Sequence, residues 1–111
     1  MSEPENASYQ IVTIPVSRQA LKKLPLRIRK HLISAMEILK TDPYQTEELQ
    51  PPWSGFRSLH SKYQNTQYRI VYEVDKTNSR VIIRYAATRE NFYRDLRHLH
   101  LKPLVKNETS G

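Results

Sequence analysis

The chain has no cysteine and only two glycines, Gly55 and Gly111, in 111 residues. Without cysteine there is no disulfide and no thiolate nucleophile, which fits a reducing compartment. Zinc would have to be held by carboxylates and by His31, His60, His98 and His100, whose spacing brings no three ligands together. Two glycines leave no Gly-rich phosphate loop, and no metal or cofactor is expected. Long apolar runs are missing as well, since none approaches the ~20 residues that a membrane-spanning helix needs. Met1 to Ser8 carries Glu3 and Glu5 and no apolar stretch, so it reads as a disordered N-terminus, neither signal peptide nor anchor. A soluble cytoplasmic protein of one domain is the expectation.

Acidic residues are the other shortage. Asp and Glu number 11 against 18 Lys and Arg, a formal net charge of +7, with an isoelectric point near 9.8. Such a balance implies a polyanionic partner: nucleic acid, an anionic membrane surface or an acidic protein. It specifies no chemistry.

What is present reads as alternating elements. Tyr9 to Ile14 is β-branched and predicts a strand closed by Pro15, after which Ser17 can cap a short helix over Arg18 to Leu24. Pro25 suits the first turn of a second helix, with Ile28, Leu32, Ala35, Met36 and Leu39 on one buried face. Leu26, Ile33 and Ile38 widen that stripe, and Arg27, Lys30, His31 and Ser34 fall outside it. Asp42-Pro43 ends the helix, because the residue before a proline is pushed out of the α region. Tyr44 to Gly55 is a loop.

Phe56 to Tyr63 and Gln67 to Asp75 read as two strands joined by Gln64-Asn65-Thr66. Arg80 to Ala87 is a nearly continuous apolar run, as expected of a strand covered on both faces or central in its sheet. Thr88 can cap a last helix to about Leu99, and from Leu101 to Gly111 a flexible tail is expected. The fold class is α+β: an N-terminal strand, two helices, then antiparallel strands in a small twisted sheet with a short C-terminal helix. One sheet face takes the helices and the other can be open.

Period-two alternation sets His60 and Lys62 opposite Leu59, Ser61 and Tyr63, and Arg69 opposite Tyr68, Ile70 and Tyr72. If the apolar sets share the core, the three basic side chains share the other face, with no acid between them. Like charges on a rigid sheet repel, so the cluster fits either an anion site or a solvated strand face. Arg89 favours the anion, because an arginine at a helix start opposes the dipole and wants another reason to be there. Tyr93 follows one turn later on the same face.

Metal-free RNA cleavage needs a base for the 2′-hydroxyl, an acid for the 5′-oxygen and cations for the charge on phosphorus. Arginine cannot be the base, and a lysine would have to be brought down from about 10.4. His60 is therefore the best single acid or base, with Tyr93 or Lys62 as its complement and Arg69 and Arg89 as electrostatic clamps.

Leu59-His60-Ser61-Lys62 followed by Tyr68-Arg69-Ile70-Val71-Tyr72-Glu73-Val74 resembles the basic-x-basic strand and the Tyr-Arg-x-x-Tyr strand of RelE toxins in the RelE/ParE family. Ala20 to Pro25 and Thr88 to Tyr93 resemble that family's first helix and its closing arginine and tyrosine. His60 stands where a lysine is usual, and the glycine before Tyr68 is missing. The resemblance implies an endoribonuclease cutting mRNA in the ribosomal A site, with Lys62, Arg69, Arg89 and Tyr93 on the mRNA phosphate. Arg57, Arg27, Lys30, Lys22 and Lys23 are then the further RNA-binding candidates. It also implies a cognate antitoxin, acidic where it wraps the toxin, that binds operator DNA with its other end. Two alternatives remain: a ParE-like poison of DNA gyrase, which needs none of these catalytic side chains, and a basic RNA-binding module without activity.

Overall fold

The computed structural model describes residues 8–105. The elements run β1 (Gln10–Thr13), α1 (Pro15–Lys22), α2 (Leu26–Ala35), a tighter 3-10 turn (Met36–Lys40), β2 (Glu47–Glu48), β3 (Arg57–Tyr63), β4 (Thr66–Asp75), β5 (Arg80–Thr88) and α3 (Arg89–Leu99). The sheet order is β1-β5-β4-β3-β2. Only β1 is parallel to its neighbour, lying against β5 at one edge, and the rest of the sheet is antiparallel. This is the α+β arrangement expected, with one added strand: β2 lies inside the segment read as a loop. Two residues are too few to show a period, and only pairing with Arg57 and Ser58 makes them a strand.

α1 begins earlier than its sequence suggests. Pro15, expected to close the strand, is the first helical residue, where its missing N–H costs nothing. Ser17 is inside the helix, not its cap: its buried hydroxyl accepts from the Ile14 N–H at 3.0 Å and donates to the Ile14 carbonyl at 3.0 Å. Arg29 of α2 reaches back to the Leu21, Lys22 and Leu24 carbonyls at 3.1, 3.3 and 3.2 Å, fastening the two helices together.

α1 and α2 cover one face of the sheet. Leu21, Leu32, Met36 and Leu39 pack on Leu59, Tyr68, Ile70, Tyr72, Val81 and Ile83, all buried. The helix stripe is narrower than predicted, for Leu26, Ile33 and Ile38 are exposed at 57%, 47% and 46%. His31, placed on the outer side by periodicity, instead turns to the sheet, its Nε2 2.8 Å from Ser61 Oγ and its ring 4.9 Å from that of Tyr63.

The second face is only half open, a correction to the expectation. Leu49, Phe56, Val71, Phe92 and Leu96 form a smaller core there under α3. Burying Phe92 and Leu96 stabilises the docked helix by about 1.5–3 kcal/mol each, which outweighs the ~1 kcal/mol that an absent N-cap costs. Thr88 does stand at the N-cap position but makes no capping hydrogen bond.

A bulge completes this face. Val71 pairs with Tyr85 and Tyr72 with Ile83, so Arg84 is the extra residue. Arg84 and Tyr85 therefore share the α3 side: Arg84 pairs with buried Glu73, and Tyr85 Oη donates to Asp95 at 3.0 Å. The Glu73 carboxylate also accepts from the Leu104 and Val105 backbone N–H groups, at 3.0 and 3.1 Å, and Arg84 donates to the Lys102 carbonyl at 2.8 Å. The segment expected to be a loose tail is thus tied down through Val105; the remainder of that tail, and residues 1–7 of the expected disordered N-terminus, lie outside the described residues. No described helix is long and apolar enough to cross a membrane.

Candidate active site

The open half of the second face lies where β3, β4 and the start of α3 meet. His60 faces Arg69 directly across the β3–β4 ladder, and Lys62 faces Gln67, roughly 7 Å further along the strand toward the hairpin. His60 and Lys62 are exposed, and Arg69 is half-buried. On its other side Arg69 pairs with Ala87, whose small side chain leaves room above the sheet. The turn at the end of the hairpin holds Gln64 at φ 56, a left-handed conformation usually given to glycine.

Arg69 is the hub. Its Nη1 donates to Tyr93 Oη at 3.3 Å, and its guanidinium carbon sits 5.5 Å from the Phe92 ring centre and 5.6 Å from that of Tyr93. These contacts hold the charge in one orientation. Arg89 opens α3 and is exposed beside N–H groups that no side chain caps, an arrangement that receives phosphate oxygens.

His60 is held below the ordinary imidazole value of 6.5, by partial burial first and by the Arg69 charge second, with Arg89 adding to the effect and Glu47 opposing it. A neutral imidazole beside two guanidiniums can accept a proton. The cluster is therefore not free of acids, as alternation alone implied: Glu47 on β2 is an electrostatic partner of His60. Nothing in a two-residue acidic stretch announces this. Trp53, the single tryptophan, was also missed. Its ring lies 5.7 Å from that of Tyr93.

The further basic candidates do not join this cluster. Arg57 is bound to the carbonyls of Tyr44 and Thr46, and its guanidinium lies over the Tyr44 ring. Lys22, Lys23, Arg27 and Lys30 are exposed on α1, on α2 and between them, the layer on the other side of the sheet. Among the described residues no three His, Cys, Asp or Glu side chains gather to hold a metal.

Residues 11–97 match a family model described as the ParE-like toxin of type II bacterial toxin–antitoxin systems. The chain belongs to this family. Among solved structures, the toxin–antitoxin complex RelBE2 from Mycobacterium tuberculosis contains a chain 26% identical, with a TM-score of 0.63, over 74% of this chain and 99% of that one. The isolated E. coli RelE toxin is similar in fold at 18% identity and a TM-score of 0.60, covering 85% of this chain and 100% of that one. The intact E. coli RelBE complex has a matching chain at 15% identity and a TM-score of 0.61, over 72% and 95%. No curated protein sequence matches. In this ParE-like toxin, then, the cationic cluster stands where β3, β4 and α3 converge.

Proposed function

We propose that this toxin is an endoribonuclease that cleaves mRNA on the ribosome, with His60, Lys62, Arg69, Arg89 and Tyr93 at its centre. The observation that carries the reading is the convergence of a depressed histidine with two arginines and a tyrosine on one open sheet face. His60 takes the 2′-hydroxyl proton as that oxygen attacks phosphorus. The bond from phosphorus to the 5′-oxygen breaks, and the leaving oxygen takes its proton from Tyr93. Tyr93 accepts its hydrogen bond from Arg69, so its own O–H is not spent on that contact. A 2′,3′-cyclic phosphate and a 5′-hydroxyl result. Arg69, Arg89 and Lys62 stabilise the charge that builds on the phosphate oxygens.

Residues 9–100, with the docked segment through Val105, would form the toxin domain, and the solved complexes RelBE2 and RelBE support a cognate antitoxin as its partner. A net charge of +7 suits an acidic wrapping segment. The family description favours a second reading, a ParE-like gyrase poison. Primer extension on mRNA from a translation reaction, beside a gyrase supercoiling assay, separates the two. Cuts within translated codons that vanish or slow greatly with His60→Ala support the nuclease. Intact mRNA with blocked supercoiling transfers the assignment to gyrase, and full cleavage by His60→Ala removes His60 from the mechanism.

A further inference from the structure

Beyond Tyr93 the same face of the molecule continues. Arg89, Tyr93 and Arg97 recur every four residues on α3 and are all exposed, so they form one stripe leading away from the scissile position. Trp53 stands beside the middle of that stripe. It packs against the smaller core yet keeps part of its ring exposed, and it is tilted 43° from the Tyr93 ring. Trp53 also borders an open groove of about 430 Å³ with Arg97, His100 and Lys102 at its polar rim and Pro52, Leu96 and Leu101 as its apolar lining. Among the described residues neither Arg97 nor Lys102 has an ion-pair partner, whereas Arg94 is paired with Asp95 on another side of the helix. Lys102 is not on a loose end, because its carbonyl is bound by Arg84 and the next residues by Glu73.

We propose that Trp53 and the groove formed by Arg97, His100 and Lys102 are a second nucleotide subsite, which takes the single-stranded RNA adjoining the cleaved phosphate. It deepens the nuclease reading and rests on it. An aromatic face flanked by unpaired cations is the combination that single strands use, with a base stacked on the ring and the backbone followed by the charges. An apolar partner surface would leave those cations buried without acids. Continuity with Tyr93 places the two subsites on one strand, so Trp53 contributes to which nucleotide beside the cut is accepted.

The single tryptophan supplies the probe. A short fluorescein-labelled 2′-O-methyl RNA, which has no 2′-hydroxyl and stays intact, is titrated into the full chain while anisotropy and Trp53 emission are both followed. Quenching of Trp53 is expected over the same concentration range as the anisotropy rise. Trp53→Leu should bind ~10-fold more weakly, with Trp53→Tyr restoring most of the loss. Arg97→Glu with Lys102→Glu, both at exposed positions, should weaken binding similarly without touching the core, and in the translation assay these variants should redistribute the cut positions. No binding, or binding with unchanged Trp53 emission and a Trp53→Leu affinity equal to wild type, overturns the subsite. Wild-type cleavage accompanied by that result leaves the nuclease standing alone. Quenching without any cleavage of translated mRNA supports the subsite as an RNA-binding site and overturns the nuclease.

Discussion

The two faces of the sheet are built from alternate residues of the same strands and could hardly differ more. Toward α1 and α2, Tyr68, Ile70 and Tyr72 of β4 enter a wide apolar core. Toward α3, their neighbours Arg69, Val71 and Glu73 meet an open site, a small core and a buried ion pair in turn. The first face does one job along its whole length. The second is divided because α3 and the segment after it reach across only part of it, leaving the β3–β4 end uncovered. The apolar core behind β3 and β4 lets repelling cations be held in place in front, since the strands carrying them cannot yield.

If the second face depends on its ion pair, the largest effect should come from Glu73→Ala. It leaves Arg84 buried without its carboxylate and frees the 102–105 segment, and about 3–5 kcal/mol of stability should be lost in urea unfolding. Leu32→Ala on the other face, at about 2–5 kcal/mol, is the reference. A loss below that of an ordinary surface substitution for Glu73→Ala would show that the two faces are not held by different means.

Next comes Arg69→Ala. Cleavage should fall by roughly 10²–10³-fold, while stability in urea falls by only about 1 kcal/mol, the worth of the ring contacts of a half-buried side chain. Equal losses of stability and activity would blur the division between packed and open parts of that face.

The pH dependence sharpens the same division. The surroundings of His60 lower its pKa, so protonation is disfavoured and the base remains available as pH falls through 6.5. The acid limb of the cleavage profile should lie below that value. Glu47 opposes the lowering, so Glu47→Gln should move the limb to still lower pH, and Arg89→Ala should move it up. A limb unaffected by both variants would take His60 out of the titrating role.

The smallest effect tests the first face. Leu26 and Ile33 fit the apolar stripe of the sequence but are exposed, so Leu26→Gln and Ile33→Gln should each change stability by less than about 0.5 kcal/mol. A loss of core size at either position would restore the wider stripe.

Much of the candidate site's arrangement was legible because it depends on local periods. His60, Lys62 and Arg69 share a face by the two-residue alternation of strands, and Arg89 and Tyr93 by the four-residue return of a helix. Glu47 and Trp53 were not legible. Glu47 acts on His60 only because β2 pairs with β3, and Trp53 meets Tyr93 only because the loop before β3 folds against α3. His31 and Ser61 likewise meet across 30 residues of sequence, which no helical wheel contains.

The sequence by itself determined the α+β class, the succession of helices and major strands, the basic charge and the side of β3 and β4 on which a residue lies. Those follow from backbone geometry and composition, which act within a few residues. Only the tertiary structure decided that β1 runs parallel to β5, that Arg84 bulges out to reach Glu73, and that Val71 is buried two residues from a half-buried Arg69. These depend on which element covers which part of the sheet, and covering is a property of pairs of segments far apart in the chain.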